Sequence, residues 1–293
     1  NRNYKNKLIT TPIGEEGSSC RILTKCYGSP ITYAPLSMDH CTAAGQLEIS
    51  TLLDIYHWSK LKDTTPIYAL IGDPIIQSPG HLYHNRIFRG NGVYIKLRIT
   101  PKELKLSLDL MQRLGFKGLS VTIPHKETIL PFLDRIDPFA KKIGAVNTVI
   151  FHKGEKIGYN TDAPALEEFL QREYPRSHIF AILGAGGTAR TAGFLLLAKG
   201  AQVYFFNRTV ERAEELANAL REQLPGSIVG AKTLDNWHAK DYDATINCTG
   251  VSSFGKQFPN IIDFSLNTPT GKFLYEKQAG RQQVLWSLYK DLP

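Results

Sequence analysis

The stretch that decides the fold is "HIFAILGAGGTARTAGFLLLAKGAQVYFFNRT", residues 178–209. An apolar run ending at Leu183 enters a glycine turn, the turn opens a helix-like segment, and a second apolar run ends at Asn207. Strand, glycine turn, helix and second strand in this order form the unit that cradles the pyrophosphate of a dinucleotide. Glycine permits the tight turn and lets backbone N–H groups approach the phosphates, which then sit at the positive end of the helix. The candidate cofactor residues are therefore Gly184, Ala185, Gly186, Gly187, Thr188 and Ala189, with Ala189 as the third small position. About 20 residues further on, an NAD enzyme carries a carboxylate for the ribose 2′-hydroxyl. Here the chain has Asn207-Arg208-Thr209 instead. A carboxylate would repel a 2′-phosphate, whereas a guanidinium pairs with it in a fork, so the pattern favours NADP. The alternative is that Arg208 is a solvated residue at a helix start.

The same alternation extends to both sides. Downstream, a helix over 210–222 and the strand "DATINCTG" continue it. Upstream, from Ile67, come "IYALIG", a helix near 82–90, "GVYIKLRI", a helix over 102–114, "GLSVTI", another helix and "AVNTVIFHKG". Two α/β units of mainly parallel sheet thus stand in series. Residues 1–65 differ: two strand-like runs, "KLITTPI" and "SPITYAPL", precede an amphipathic helix in "QLEISTLLDIYHWSKL", and "KLKDTTP" reads as a polar linker. The expected division is 1–65, 66–163 completed by a C-terminal helix at 270–293, and 164–269.

With 293 residues, 42% hydrophobic and 21% charged, the chain has apolar material for roughly two ordinary domains. No apolar run approaches the roughly 20 residues of a membrane span, and no signal peptide is evident, so no membrane partner and a cytoplasmic address are expected. Cys20, Cys26, Cys41 and Cys248 lack metal-ligand spacing and read as reduced thiols; no metal is expected. The net charge of +8 is carried by scattered residues, which argues for small anionic ligands and against nucleic acid. The first residue is Asn1, which reads as a fragment or a processed product. Oligomeric state is left open.

A lysine at the end of the apolar strand in "LSVTIPHKETIL", residues 119–130, is unusual, since most lysines are solvated. With a hydride carrier expected, Lys126 is a candidate for the group that takes a hydroxyl proton. "GAVNT" (144–148) and "GYNTD" (158–162) place further polar groups at the ends of apolar strands, where open α/β sheets bind ligands. Asp162 is placed to hold Lys126, and Asn147 to bind a substrate hydroxyl. Taken singly, each also reads as a cap or a loop residue.

Together, "IGDPIIQSPGHLYHN", "VTIPHK", "GAVNT", "GYNTD", "GAGGTAR" and "NRT" resemble, in order and spacing, the shikimate dehydrogenases over roughly residues 67–250. The resemblance implies a two-domain α/β architecture, a substrate domain plus an NADP-binding Rossmann domain, and NADP-linked interconversion of 3-dehydroshikimate and shikimate. It implies Lys126 and Asp162 as the catalytic pair, Asn147 and Thr122 on substrate hydroxyls, Ser78 on the carboxylate, Gln278 on the substrate and Thr249 at the cofactor. The chain departs from the family pattern at Gly80-His81, where a second serine and a proline are usual, so one bond to the carboxylate is absent or is made by His81 instead. It also has Gly250 where the family has proline. About 20 to 35 residues of the usual C-terminal pattern are missing between "DFSLNTPTGKFL" and the closing helix, so both are not expected intact.

"LITTPIGEEGSSCRIL", "YGSPITYAPL" and "TAAGQLEISTLLDIY" resemble the last strands and final helix of type I 3-dehydroquinate dehydratase, a (β/α)₈ barrel. This resemblance implies that Arg21 and Gln46 descend from substrate-binding residues; as parts of a remnant they also read as ordinary surface residues. A barrel interior is filled by strands from all around its axis, so no lyase activity is expected from this piece alone. The two resemblances together imply a bifunctional dehydratase/dehydrogenase of plant or chlamydial type, with a plastid address if the source is a plant. Three alternatives remain: a relative that prefers quinate, one that prefers NAD, and a non-catalytic sensor with the same fold.

Overall fold

The computed structural model describes residues 8–14, 16–76, 78–250, 260–264 and 268–289. The chain divides into two compact units, the first drawn from 1–125, 149–156 and 285–293, the second from 126–148 and 157–284.

The first 65 residues differ from expectation. Neither 8–13 nor 29–36 forms strand, and the ordered element is helix α1 (Gly17–Cys26). A strand exists only against a partner ladder, and here the extended segments are tied by isolated bonds, such as Gly14 N–H to the Ala44 carbonyl at 3.0 Å and Ile49 N–H to the Pro35 carbonyl at 3.0 Å. The expected long helix shrinks to a short one at 49–55, π-helical over Thr51–Ile55, and His57 lies beyond it with φ 49°.

A six-stranded sheet follows, built of β1 (Ile67–Gly72), β2 (Val93–Arg98), β3 (Gly118–Val121), β4 (Arg135–Ile136), β5 (Thr148–His152) and β6 (Glu155–Tyr159) in the order β2-β1-β3-β5-β6-β4. β1 pairs in parallel with both β2 and β3, so each connection is a crossover, supplied by α2 (Gly80–Phe88) and α3 (Leu104–Arg113). "IYALIG" is buried along its whole length, as a strand covered on both faces must be. An aromatic cluster fixes the first unit: Trp286 lies 4.7 Å from Tyr68 and 5.0 Å from His84, whose ring stacks 4.4 Å from Tyr94. β5 turns back through Lys153-Gly154, both at positive φ, into β6, a strand that periodicity alone does not separate.

The second unit holds α5 (Pro138–Ile143) and part of α4 (His125–Thr128), together with a five-stranded sheet. The strands are β7 (Ile179–Leu183), β8 (Gln202–Asn207), β9 (Val229–Thr233), β10 (Ala244–Asn247) and β11 (Ile261–Asp263), in the order β11-β10-β7-β8-β9 and parallel throughout. α6 (Asp162–Glu173), α7 (Gly187–Ala198) and α8 (Val210–Gln223) accompany it, and α9 (Pro269–Leu288) closes the chain. Of the stretch "DFSLNTPTGKFL", residues 263–274, only Asp263 belongs to a strand, at the end of β11, and α9 takes Pro269 onward; residues 265–267 lie outside the described residues. No helix among the described residues is long and apolar enough to cross a membrane.

Candidate active site

The glycine turn lies where its spacing puts it, between the end of β7 and the start of α7. Gly184 holds φ +106°, a conformation only glycine adopts cheaply, and α7 starts at Gly187 with no side-chain cap and no acid in its first turn. A helix start of this kind, with a positive end and no side chain capping it among the described residues, favours an anion. At the end of β8, Asn207 donates to the Thr209 carbonyl at 2.8 Å, while the Arg208 side chain is exposed. After β10, the Thr249 N–H and hydroxyl both donate to Asn247 Oδ1, at 3.1 and 2.7 Å.

Lys126 stands against this turn. A Cβ added to Gly187 would lie 2.7 Å from Lys126 Cβ, so glycine lets the lysine side chain pass this close to the turn. The Val146 N–H donates to the Lys126 carbonyl at 2.7 Å and fixes the main chain. The ammonium then donates to Asp162 Oδ2 at 2.6 Å and to Thr188 Oγ1 at 2.9 Å. Both charged side chains are nearly buried, at 12% and 10% exposed, where charge-assisted hydrogen bonds are strong and an unpaired ion is costly. Burial also pushes the nearby Cys248 thiol far above its ordinary range, against the opposing pull of Lys126, so Cys248 is a neutral thiol and no nucleophile.

Asn147 does not end a strand; it immediately precedes β5 and reaches the site because β6 returns beside it. Its N–H donates to the Tyr159 carbonyl at 3.0 Å. Its side chain is locked from several sides: Oδ1 accepts from the Thr161 N–H at 2.8 Å and the Thr148 hydroxyl at 2.9 Å, and Nδ2 donates to Thr161 Oγ1 at 3.0 Å and Gln278 Oε1 at 3.4 Å. Gln278 therefore joins Asn147 despite the shortened C-terminal region. Sequence reasoning misses Gln282, which donates to the Asn147 carbonyl at 3.2 Å and Thr148 Oγ1 at 2.9 Å, and Asn160, which ties the Ala145 carbonyl to Thr191 Oγ1 of α7. The signal for Gln282 is its spacing, since residues four apart share a helix face and Gln278 is a candidate in its own right.

Ser78 and Thr122 belong to the first unit. Thr122 follows β3, its N–H donating to the Ile71 carbonyl at 3.0 Å. Ser78 precedes α2, and its hydroxyl accepts from the Gly80 N–H at 3.4 Å. Gly80 and His81 begin α2. Burial, and secondarily the Lys96 charge, hold His81 down to about 4, against a hydrogen bond to the Ser78 backbone that raises it. His81 is thus neutral near pH 7.

Arg21 and Gln46 are not surface residues: both are buried. Gln46 spends its carbonyl on its own loop, accepting from the Thr42 N–H at 2.8 Å and the Ala43 N–H at 3.2 Å, and no hydrogen bond joins it to Arg21 among the described residues. No cluster of three or more His, Cys, Asp or Glu among the described residues is arranged to hold a metal ion.

Residues 70–149 match the family described as shikimate dehydrogenase substrate binding domain, 170–254 match shikimate/quinate 5-dehydrogenase, and 1–63 match type I 3-dehydroquinase. The bifunctional 3-dehydroquinate dehydratase/shikimate dehydrogenase of Arabidopsis thaliana is 36% identical over 89% of this chain and 44% of its own length. The chain spans about half the length of the first such curated relatives that it matches. A crystal structure of a shikimate dehydrogenase in complex with NADP+ superposes with a TM-score of 0.65 and 31% identity, covering 78% of this chain and 91% of that one. The NADP(+) shikimate dehydrogenase of Citrifermentans bemidjiense is 36% identical over 67% of this chain. Since that alignment takes in 72% of a single-activity enzyme at 36% identity, and the substrate-binding and dehydrogenase family models both match here, the chain belongs to the shikimate dehydrogenase family.

Proposed function

We propose that this chain is the dehydrogenase part of a two-activity protein and catalyses the NADP-linked interconversion of 3-dehydroshikimate and shikimate. The observation that supports this reading best is the Lys126–Asp162 contact beside Thr188, which sets a proton-handling pair against the first turn of the nucleotide-type helix. The residues fit a dinucleotide: the turn has the required glycine conformation, a side-chain position at Gly186 would meet only open space, and the end of β8 carries no carboxylate. Residues 184–189, 207–209 and Thr249 would hold NADP, whose nicotinamide, when bound, accepts or supplies hydride.

In the direction of reduction the Lys126 ammonium gives a proton to the ketone oxygen as hydride arrives, and in the opposite direction the neutral Lys126 amine takes the hydroxyl proton as hydride leaves. Asp162 aims the ammonium and balances its charge. Asn147 and Gln278 bind substrate hydroxyls from a hydrogen-bonded frame that is already set, so little reorganisation is left for the reaction. Thr122 binds a further hydroxyl and Ser78 the carboxylate. In this reading residues 66–163 with 270–293 are the substrate domain, 164–269 the NADP domain and 1–65 the dehydratase remnant. The last is too small a part of a barrel to act as a lyase. The compartment we propose is the cytoplasm, or the plastid for a plant source.

The test is absorbance at the reduced-nicotinamide band on mixing the protein with shikimate and NADP+, beside Lys126→Ala and parallel assays with quinate and with NAD+. The expected outcome is turnover that falls by about 10²–10⁴-fold in the variant. Binding of shikimate or NADP+ without turnover would replace the reading by a non-catalytic sensor.

A further inference from the structure

In the first unit the loop before α2 lacks a group that the dehydrogenase reading needs. Ser78 offers one hydroxyl for the substrate carboxylate, and Gly80 stands where a second is usual. His81, the nearest polar candidate, is neutral, stacks its ring on Tyr56 at 6.2 Å and brings no charge.

A cation does reach this loop from β2. Side chains two apart on a strand share a face. Tyr94 uses that face to stack on His84 of α2, and its backbone bonds both sides of the Asn85 amide. Lys96, two residues on, therefore comes up at the start of α2. Its ammonium donates to the Ile76 carbonyl at 2.9 Å and to the Ser78 carbonyl at 3.4 Å, while the Ser19 hydroxyl holds the Lys96 carbonyl. An ammonium has three donors, so one remains. Among the described residues no Asp or Glu side chain forms an ion pair with it. Burial holds Lys96 below lysine's usual range, a cost that a bound anion would offset. The start of α2 has no acidic residue either, so nothing on the helix neutralises the charge.

We propose that the Lys96 ammonium is the counter-charge for the substrate carboxylate, acting with the Ser78 hydroxyl in place of the second hydroxyl that Gly80 cannot supply. The inference rests on the dehydrogenase reading and deepens it, since it makes recognition of the carboxylate ionic. The competing role is mechanical: Lys96 would only clamp the Ile76 and Ser78 carbonyls.

Shikimate and its methyl ester separate the two. Binding of each to the parent chain, Lys96→Met and Lys96→Arg is measured by calorimetry, with steady-state kinetics alongside. The expected result is that Lys96→Met weakens shikimate binding about ten- to a hundred-fold and raises KM with kcat nearly held. The ester should bind parent and variant alike, and Lys96→Arg should restore most of the affinity for the acid. Equal binding of the acid by parent and Lys96→Met overturns the proposal, as does an equal loss for acid and ester, which is the clamp. A parent that binds shikimate in this Lys96-dependent way yet never reduces NADP+ overturns the dehydrogenase reading alone. A parent that binds no shikimate overturns both.

Discussion

Arg21 and Lys126 are both buried cations that the sequence marks as chemically meaningful, and their surroundings are opposite. Lys126 has a carboxylate at 2.6 Å and a hydroxyl at 2.9 Å, both supplied by this chain. Arg21 is 2% exposed, and among the described residues its Nε and both Nη atoms have no hydrogen-bond partner. A buried unpaired charge costs several kcal/mol, whereas a paired one in good geometry roughly recovers its desolvation. The difference follows from what accompanies each residue. α6 and α7 bring Asp162 and Thr188 to Lys126, while Arg21 lies on α1, within the residues that match type I 3-dehydroquinase, where no side-chain partner is described.

The largest effect that would sharpen this contrast is expected at Gly187. Gly187→Val places atoms against the base of Lys126, and turnover should fall about 10²-fold or more through misplacement of the amine, with the far-ultraviolet dichroism unchanged. Full activity in that variant would mean the approach is not needed. Next comes Arg21→Met, which removes the orphaned guanidinium and keeps an apolar stem; stability in urea should rise by about 1–4 kcal/mol. A decrease instead would break the comparison, showing that Arg21 is held by something that offsets its burial. Gln282→Leu should cost about 1–3 kcal/mol, because the Asn147 carbonyl and the Thr148 hydroxyl each give up a buried bond, and shikimate affinity should fall with it. Unchanged thermal unfolding would show the frame holds without Gln282.

The smallest effect is a pH dependence at His81. Its folded-state value of about 4 lies below the ordinary 6.5, so the unfolded chain binds the proton more readily. Stability from this group is therefore complete above pH 6.5 and declines as pH falls from 6.5 towards 4. After discounting for partial exposure the decline is at most about 2 kcal/mol. Urea midpoints of the parent and His81→Asn across that range check it, and parallel profiles would remove His81 as the cause.

How much of the molecule is legible in the sequence varies along the chain for physical reasons. The β7-turn-α7-β8 unit reads correctly because glycine positions, apolar runs and the residues after β8 all report on one local geometry. Lys126 and Asp162, 36 residues apart, are joined by their places at the ends of apolar runs and by the family pattern, since no local rule brings them to 2.6 Å. The frame around Asn147 is half visible: Thr161 and Asn160 look like ordinary loop and cap residues until β6 folds back beside β5. β9, "VGAKT", escapes the reading because glycine and lysine interrupt its apolar pattern. The opposite error falls on 8–13 and 29–36, whose apolar content has the look of strand but which join no ladder among the described residues.

The contact between Gly187 and Lys126 also bears on engineering. Cofactor preference in such a chain would ordinarily be altered by randomising the glycine turn, and proton transfer by altering the lysine's neighbours, as two independent libraries. Here one missing Cβ ties them, since residue 187 is at once the first residue of the nucleotide-type helix and the surface against which the lysine's side-chain stem rests. Any redesign must hold position 187 fixed as glycine, and gains selected on one side must be screened on the other.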